Sequence, residues 1–301
     1  ETEVWPNLMR ELSRRRIPVV LANARESEKS RAKAEKVIDV MRPAFGSFSA
    51  VLAQSAEDRD RLESLGAKDV MVTGSVKFDI RPDASQAAAA RAWREALGRP
   101  VLLIASTREG EEEMFAKALR ERPGLLEKAL VVLVPRHPQR FDGVEEILAG
   151  AGLRVRRRTT LASAADVPAD CQVILGDSMG EMSFYCALAT VTAMGGSFAP
   201  CGSQNVVEPA MAGSPVIVGP STFNFERIIR EGVEAGGMLR TRDAGEALDA
   251  CARLLADDVG RARMGGAART FALGCTGATA RMMIVLEKLW CYARKNESRM
   301  S

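Results

Sequence analysis

"MGGSFAPCGSQNVVEPAMAGSPVIVGP", residues 194–220, runs from a strand-like end through a glycine-rich bend into a short helix of small residues, then into a second apolar run at 215–220. Strand, loop, helix and strand in so short a span form the repeating unit of a parallel sheet covered by helices. In such sheets a ligand crevice lies beyond the carboxyl ends of the strands, where Asn205 and Glu208 stand. With Asn205 as helix cap, Pro209 would fall at the fourth helical position and delete the first backbone hydrogen bond. With Glu208 as cap, Pro209 takes the first position, where its missing N–H costs nothing. The sequence therefore predicts Glu208 at the helix mouth, able to accept both hydroxyls of a ribose. Gly195, Gly196 and Gly202 either admit a close approach of backbone to ligand or serve as turn glycines.

Outward from this stretch the same alternation fills the chain. Strands are expected at 101–106, 130–135, 153–157, 172–177, 191–196 and 215–220, a complete doubly wound domain. The earlier part offers strands at 17–24, 50–55 and 69–74, with helices near 6–15, 26–41 and 56–65. Three strands are few for a parallel sheet, so this part reads as half of a domain whose earlier strands lie upstream. A break at 79–86 marks a hinge. The expected division is 1–82 and 83–296, the last helix packing back on the first domain, with a polar tail at 297–301.

Composition narrows the function. Of 301 residues 47% are hydrophobic and 27% charged, and the formal charge of +3 with 5% aromatics gives no base-stacking, nucleic-acid surface. The six cysteines lie far apart without a C-x-x-C pair, and the single histidine, His137, excludes a His-rich metal site. No apolar run approaches the roughly 20 residues of a membrane helix. The chain opens on Glu1 without a methionine and reads as a fragment.

Polar residues gather after the strands. Ser178 to Glu181 is expected to begin a helix, either as a capping box or as an anion site made of free N–H groups. Arg136 ends an apolar strand and suits a phosphate oxygen or a surface ion pair; His137 shapes the loop. Neither a dinucleotide fingerprint nor a P-loop occurs, and the Asp58-Arg59-Asp60 triplet sits in a helical stretch. One arginine and one helix terminus match a single phosphate better than a diphosphate, so a nucleoside monophosphate group is the economical ligand.

Seven blocks then carry a resemblance: "ETEVWPNL", "ANARESEKS", "TGSVKFD", "ASTREGEE", "VPRHPQRF", "GDSMGE" and "NVVEPAMAGSPVIVGP". In this order they resemble the 3-deoxy-D-manno-octulosonic acid (Kdo) transferases of lipopolysaccharide synthesis. The resemblance implies an α/β fold of GT-B type, two Rossmann-like domains with the active site between them, the amino-terminal one incomplete here. It implies inverting transfer of Kdo from CMP-Kdo to lipid IVA, the lipid A precursor, without cofactor or bound metal, at the cytoplasmic face of the bacterial inner membrane. By the same resemblance Pro135, Arg136, Met179, Gly180, Glu181, Asn205, Val206, Val207 and Glu208 bind CMP, while Glu1 and Lys77 stabilise the transition state. Lys77 alternatively pairs with Asp79. The family's general base, a glutamate, and its membrane anchor would lie upstream of Glu1. Two motifs depart from the family: Gln204 and Val206 replace a histidine and a proline, and Arg108 replaces a histidine. A UDP-sugar transferase of the same fold and a truncated, non-catalytic nucleotide-binding module are the competing readings. The basic runs at 13–16 and 154–158 either meet anionic lipid or serve as a helix terminus and a charged edge strand.

Overall fold

The computed structural model describes residues 3–79 and 81–297, with side chains of the final helix described as far as Cys291. Contacts divide it into two compact units, residues 1–80 with 275–301, and residues 81–274.

In the first unit the elements are α1 (Pro6–Arg14), β1 (Val20–Ala24), α2 (Glu28–Glu35), α3 (Ile38–Phe45), β2 (Ala50–Ala53), α4 (Ala56–Ser64) and β3 (Val70–Val72). The strands form a parallel sheet in the order β1-β2-β3. β2 is buried along its whole length, as a central strand covered on both faces must be. The single helix expected over 26–41 is two: Val37 takes non-helical angles (φ −130°, ψ 36°) between α2 and α3. The chain's last helix, α14 (Ala278–Glu297), belongs to this unit, and its Ala278 and Met282 pack on Leu52. Asp79 fixes its start by accepting from the backbone N–H groups of Gly277 (2.5 Å), Ala278 (3.1 Å) and Thr279 (2.6 Å). Partial burial works against the Asp79 carboxylate, but these bonds outweigh it and hold its pKa below the ordinary value.

The second unit comprises α5 (Ala84–Leu97), β4 (Val101–Thr107), α6 (Glu111–Arg120), α7 (Pro123–Lys128), β5 (Leu130–Pro135), α8 (Phe141–Gly150), β6 (Val155–Arg157), β7 (Val173–Leu175), α9 (Met182–Leu188) and β8 (Val191–Met194). It continues with α10 (Val207–Met211), β9 (Val216–Val218), α11 (Glu226–Glu234), β10 (Met238–Arg240), α12 (Ala244–Ala256) and α13 (Asp258–Cys275). Seven strands, all parallel, lie in the order β10-β9-β8-β4-β5-β7-β6. The strand order reverses beside β4, so the crevice rule points to the carboxyl ends of β4, β5 and β8. β4, β5, β8 and β9 are wholly buried, and apolar apart from Ser106, Thr107 and Thr192. β10 escapes sequence reading because it is a three-residue edge strand with Leu239 and Arg240 exposed, so no apolar run marks it.

Beyond the catalytic question, the basic run at 154–158 resolves as the charged edge-strand alternative. Arg154 meets Asp170 (3.3 Å), Arg157 meets Glu145 (2.7 Å) and Asp142 (2.5 Å), and Arg158 turns inward over the rings of Trp93 and Phe184, 4.9 Å from each. Among the described residues no helix is long and apolar enough to cross a membrane.

Candidate functional site

A cavity of about 300 Å³ opens where the topology directs, at the carboxyl ends of β4, β5, β7 and β8, entirely within the second unit. Its wall includes Ser106 near the end of β4, Pro135 and Arg136 at the end of β5, residues 178–182 after β7, and Gln204, Asn205, Glu208 and Pro209 after β8. Of the nine residues the sequence assigned to CMP, seven line it: Pro135, Arg136, Met179, Gly180, Glu181, Asn205 and Glu208. Val206 and Val207 do not; both are fully buried in the core beneath. Lys77 is exposed on a 3₁₀ turn, Val76–Phe78, of the first unit, and Glu1 lies outside the described residues.

The floor is shaped by a bulge. The β4–β5 register slips between Ala105 and Thr107, and Ser106 takes a left-handed conformation, φ 56°, that non-glycine residues adopt only under constraint. Gly195 makes the bulge possible: a Cβ there would stand 2.6 Å from the Thr107 Cα and 2.7 Å from the Ser106 carbonyl oxygen. The glycine therefore serves approach of one backbone to another rather than to a ligand.

Arg136 continues from this floor. Its backbone N–H donates to the Thr107 carbonyl (3.0 Å), and its side chain is exposed at the pocket. Among the described residues no carboxylate pairs with it, so the surface ion pair weighed as its alternative is absent.

The loop after β7 differs from expectation. α9 begins at Met182, not at Ser178, and Glu181 is its cap without a side-chain bond to the helix. The positive φ of Gly180 (80°) bends residues 178–181 into a turn before the helix. Ser178 Oγ bonds the Glu181 carboxylate and meets the Tyr185 hydroxyl at 2.6 Å, while Arg158 Nη2 donates to Glu181 Oε1 at 3.1 Å. The Glu181 side chain is thus occupied within the protein, and what this turn offers a ligand is main chain. Gln86 fixes it from α5, donating to the Gly180 carbonyl (2.9 Å) and accepting from the Phe184 N–H (3.1 Å).

The last loop also corrects the expected cap. α10 starts at Val207 with Val206 as cap, so Pro209 is the third helical residue. Its lack of an N–H still costs nothing, because the first helical bond is made by Ala210 N to Val206 O (3.3 Å). Asn205 Oδ1 accepts from Val207 N (3.1 Å) and turns the chain into the helix. Glu208 then sits in the first turn, half-buried on the pocket wall. Burial is the main cause raising its pKa above the ordinary value, with a hydrogen bond from Ser183 partly opposing it.

What sequence reasoning missed is Glu111. Fully buried at the start of α6, its carboxylate accepts four backbone N–H groups: Arg108 (2.8 Å), Gly196 (2.6 Å), Phe198 (2.8 Å) and Ala199 (3.2 Å). It ties the loop after β4 to the loop after β8 and so holds two walls of the cavity. Its neighbour Glu112, equally buried, accepts from Thr107 Oγ1 (2.9 Å) and Arg140 Nη2 (3.1 Å); burial raises its pKa. In sequence the only signal is an acidic triplet opening a helix, which reads as charges complementing a dipole on a solvated face.

Comparison with known proteins follows this geometry. A sequence family described as 3-deoxy-D-manno-octulosonic-acid transferase (kdotransferase) matches residues 1–80. The chain is 43% identical over 290 residues to a 3-deoxy-D-manno-octulosonic acid transferase of Bordetella pertussis, covering 95% of this chain and 67% of that protein. It is 34% identical over 295 residues to the corresponding transferase of Haemophilus influenzae, covering 95% and 68% respectively. The crystal structure of the C-terminal CMP-Kdo binding domain of WaaA from Acinetobacter baumannii matches with a TM-score of 0.57 and 34% identity, over 62% of this chain and 96% of that domain. Anabaena HepE in complex with UDP, 14% identical with a TM-score of 0.59 over 95% of this chain and 76% of that one, shares the fold alone.

Proposed function

The chain belongs to the 3-deoxy-D-manno-octulosonic acid transferase family of glycosyltransferases, and on that premise we propose that it moves Kdo from CMP-Kdo to lipid IVA, inverting the sugar, without a bound metal. The observation that carries this reading is the content of one cavity: an exposed guanidinium, Arg136, with no carboxylate partner among the described residues, and a half-buried carboxylate, Glu208, on the same wall system. Arg136 meets the phosphate, Glu208 accepts the ribose hydroxyls, and the turn at Met179, Gly180 and Glu181 offers main-chain groups. Asn205 contributes by setting the turn that carries Glu208 and by its amide. Val206 and Val207 act through position, as the buried start of α10. Glu1 and Lys77 are assigned by resemblance to the transition state, Lys77 to the departing phosphate and Glu1 to positive charge on the sugar ring.

The domain roles follow the same reading: the second unit holds the donor and the first serves the acceptor, at the cytoplasmic face of the inner membrane. Trp5 and Leu8, both exposed at the start of α1, support contact with a lipid surface.

Titration of the chain with CMP, CDP and UDP tests the donor assignment. Two or three charge-assisted contacts correspond to CMP binding at roughly 10 μM to 1 mM, and tighter binding of UDP would sink the reading. Transfer from CMP-Kdo to lipid IVA, assayed with this chain and with one extended upstream, tests the reaction itself; insensitivity of that transfer to EDTA tests metal independence.

A further inference from the structure

A second arginine, Arg108, leaves the end of β4 beside the main chain of Arg136, which is the one of the two that lines the cavity. Thr107 pairs with Pro135 across the β4–β5 ladder, and Arg136 N donates to Thr107 O, so Arg108 and Arg136 leave adjacent strands at the same level. Neighbouring strands are about 4.8 Å apart. Two arginines whose main chains lie that close raise the positive potential here, which a nearby carboxylate would offset. No such charge comes from the protein: Glu111 is occupied by four N–H groups, Glu112 by Thr107 and Arg140, and Glu109 turns to Arg140 at 3.7 Å. Among the described residues neither Arg108 nor Arg136 has a carboxylate partner.

Arg108 is nevertheless held in place. Its Nη1 lies 3.0 Å from His137 Nε2. A guanidinium only donates, so Nε2 is the acceptor in this contact. His137 is therefore a positioning residue for Arg108.

We propose that Arg108 binds the carboxylate of the transferred sugar while Arg136 binds the phosphate, so that the pair selects an ulosonic-acid nucleotide over a nucleotide carrying a neutral sugar. This rests on the function proposed above. Its chemistry fits closely: in an ulosonic acid the carboxylate is bonded to the same anomeric carbon that carries the phosphate, so the donor presents two anions side by side. The bond from Arg108 N to Glu111 fixes the backbone of the same residue and keeps the pair in register with β5.

The test measures dissociation constants of the chain for CMP and for freshly prepared CMP-Kdo, in the wild type and in Arg108→Ala, Arg108→Lys and His137→Ala, with circular dichroism to check folding. CMP lacks the carboxylate, so its affinity should stay within about twofold in Arg108→Ala, while CMP-Kdo binding weakens about ten- to a hundredfold. Arg108→Lys should restore part of the loss, and His137→Ala should reproduce a smaller share of it. Equal weakening of both ligands in Arg108→Ala, or of neither, overturns the assignment and leaves the CMP pocket standing. A wild-type chain that binds no CMP removes the parent reading as well.

Discussion

Replacing Glu111 by glutamine changes almost nothing in volume and removes half of what the carboxylate accepts. Oε1 takes the N–H groups of Phe198 and Ala199, and Oε2 those of Arg108 and Gly196. A carboxamide keeps one oxygen and turns an NH₂ toward the other two donors. Hydrogen bonds to a charged group contribute about 1.5–3 kcal/mol each, so two lost bonds cost about 3–6 kcal/mol. For a domain of this size, about 2–4 °C of melting temperature per kcal/mol makes the loss on the order of 6–24 °C. Trp93 is a local reporter, because it is buried in the same unit at 8% exposure while Trp5 and Trp290 are exposed at 65% in the other. Urea unfolding followed at the blue edge of tryptophan emission should show a lower midpoint for Glu111→Gln, and CMP affinity should fall with it, since the two loops wall the cavity. A variant as stable as the wild type would refute the view that this carboxylate holds the site together.

Three further outcomes follow from the geometry. Asp79→Asn should destabilise the first unit by about 1 kcal/mol, the usual worth of a helix cap, as read by hydrogen exchange at the start of α14. Because the folded pKa of Asp79 is lowered, its contribution is present above its unfolded value and lost as the pH falls below about 4, so wild type and variant should converge in acid. Glu208 behaves oppositely: its pKa is raised in the folded state, so stability drawn from the protonated form is present below the ordinary carboxylate value and lost as the pH rises through the raised one. CMP binding through the ionised form should accordingly weaken on acidification while other carboxylates are still charged, and Glu208→Gln should flatten that profile in a calorimetric titration. Gly195→Ala should disrupt the bulge at Ser106, with the added Cβ at 2.6 Å from the Thr107 Cα, and abolish measurable CMP binding; unchanged affinity would show that the bulge does not shape the site.

The periodicities of the chain are local properties, and they determined the class. Short, mostly apolar runs at β4, β5, β8 and β9, bounded by turn residues and separated by helices, match strands buried on both faces of a parallel sheet. The crevice follows from topology, which is why Arg136, Gly180 and Glu208, each after a different strand, line one cavity. Tertiary structure decided the rest, for reasons that spacing cannot carry. The cap of α10 moved to Val206 because Asn205 folds its side chain back on Val207. The edge strand β10 is fixed by pairing with β9 rather than by its own pattern. Arg154 and Arg157 found carboxylates, and Arg158 aromatic rings, that lie far from them in the sequence or across a turn. Glu111 reaches partners 85 to 88 residues away, and a buried carboxylate takes its meaning from the N–H groups that the fold brings to it.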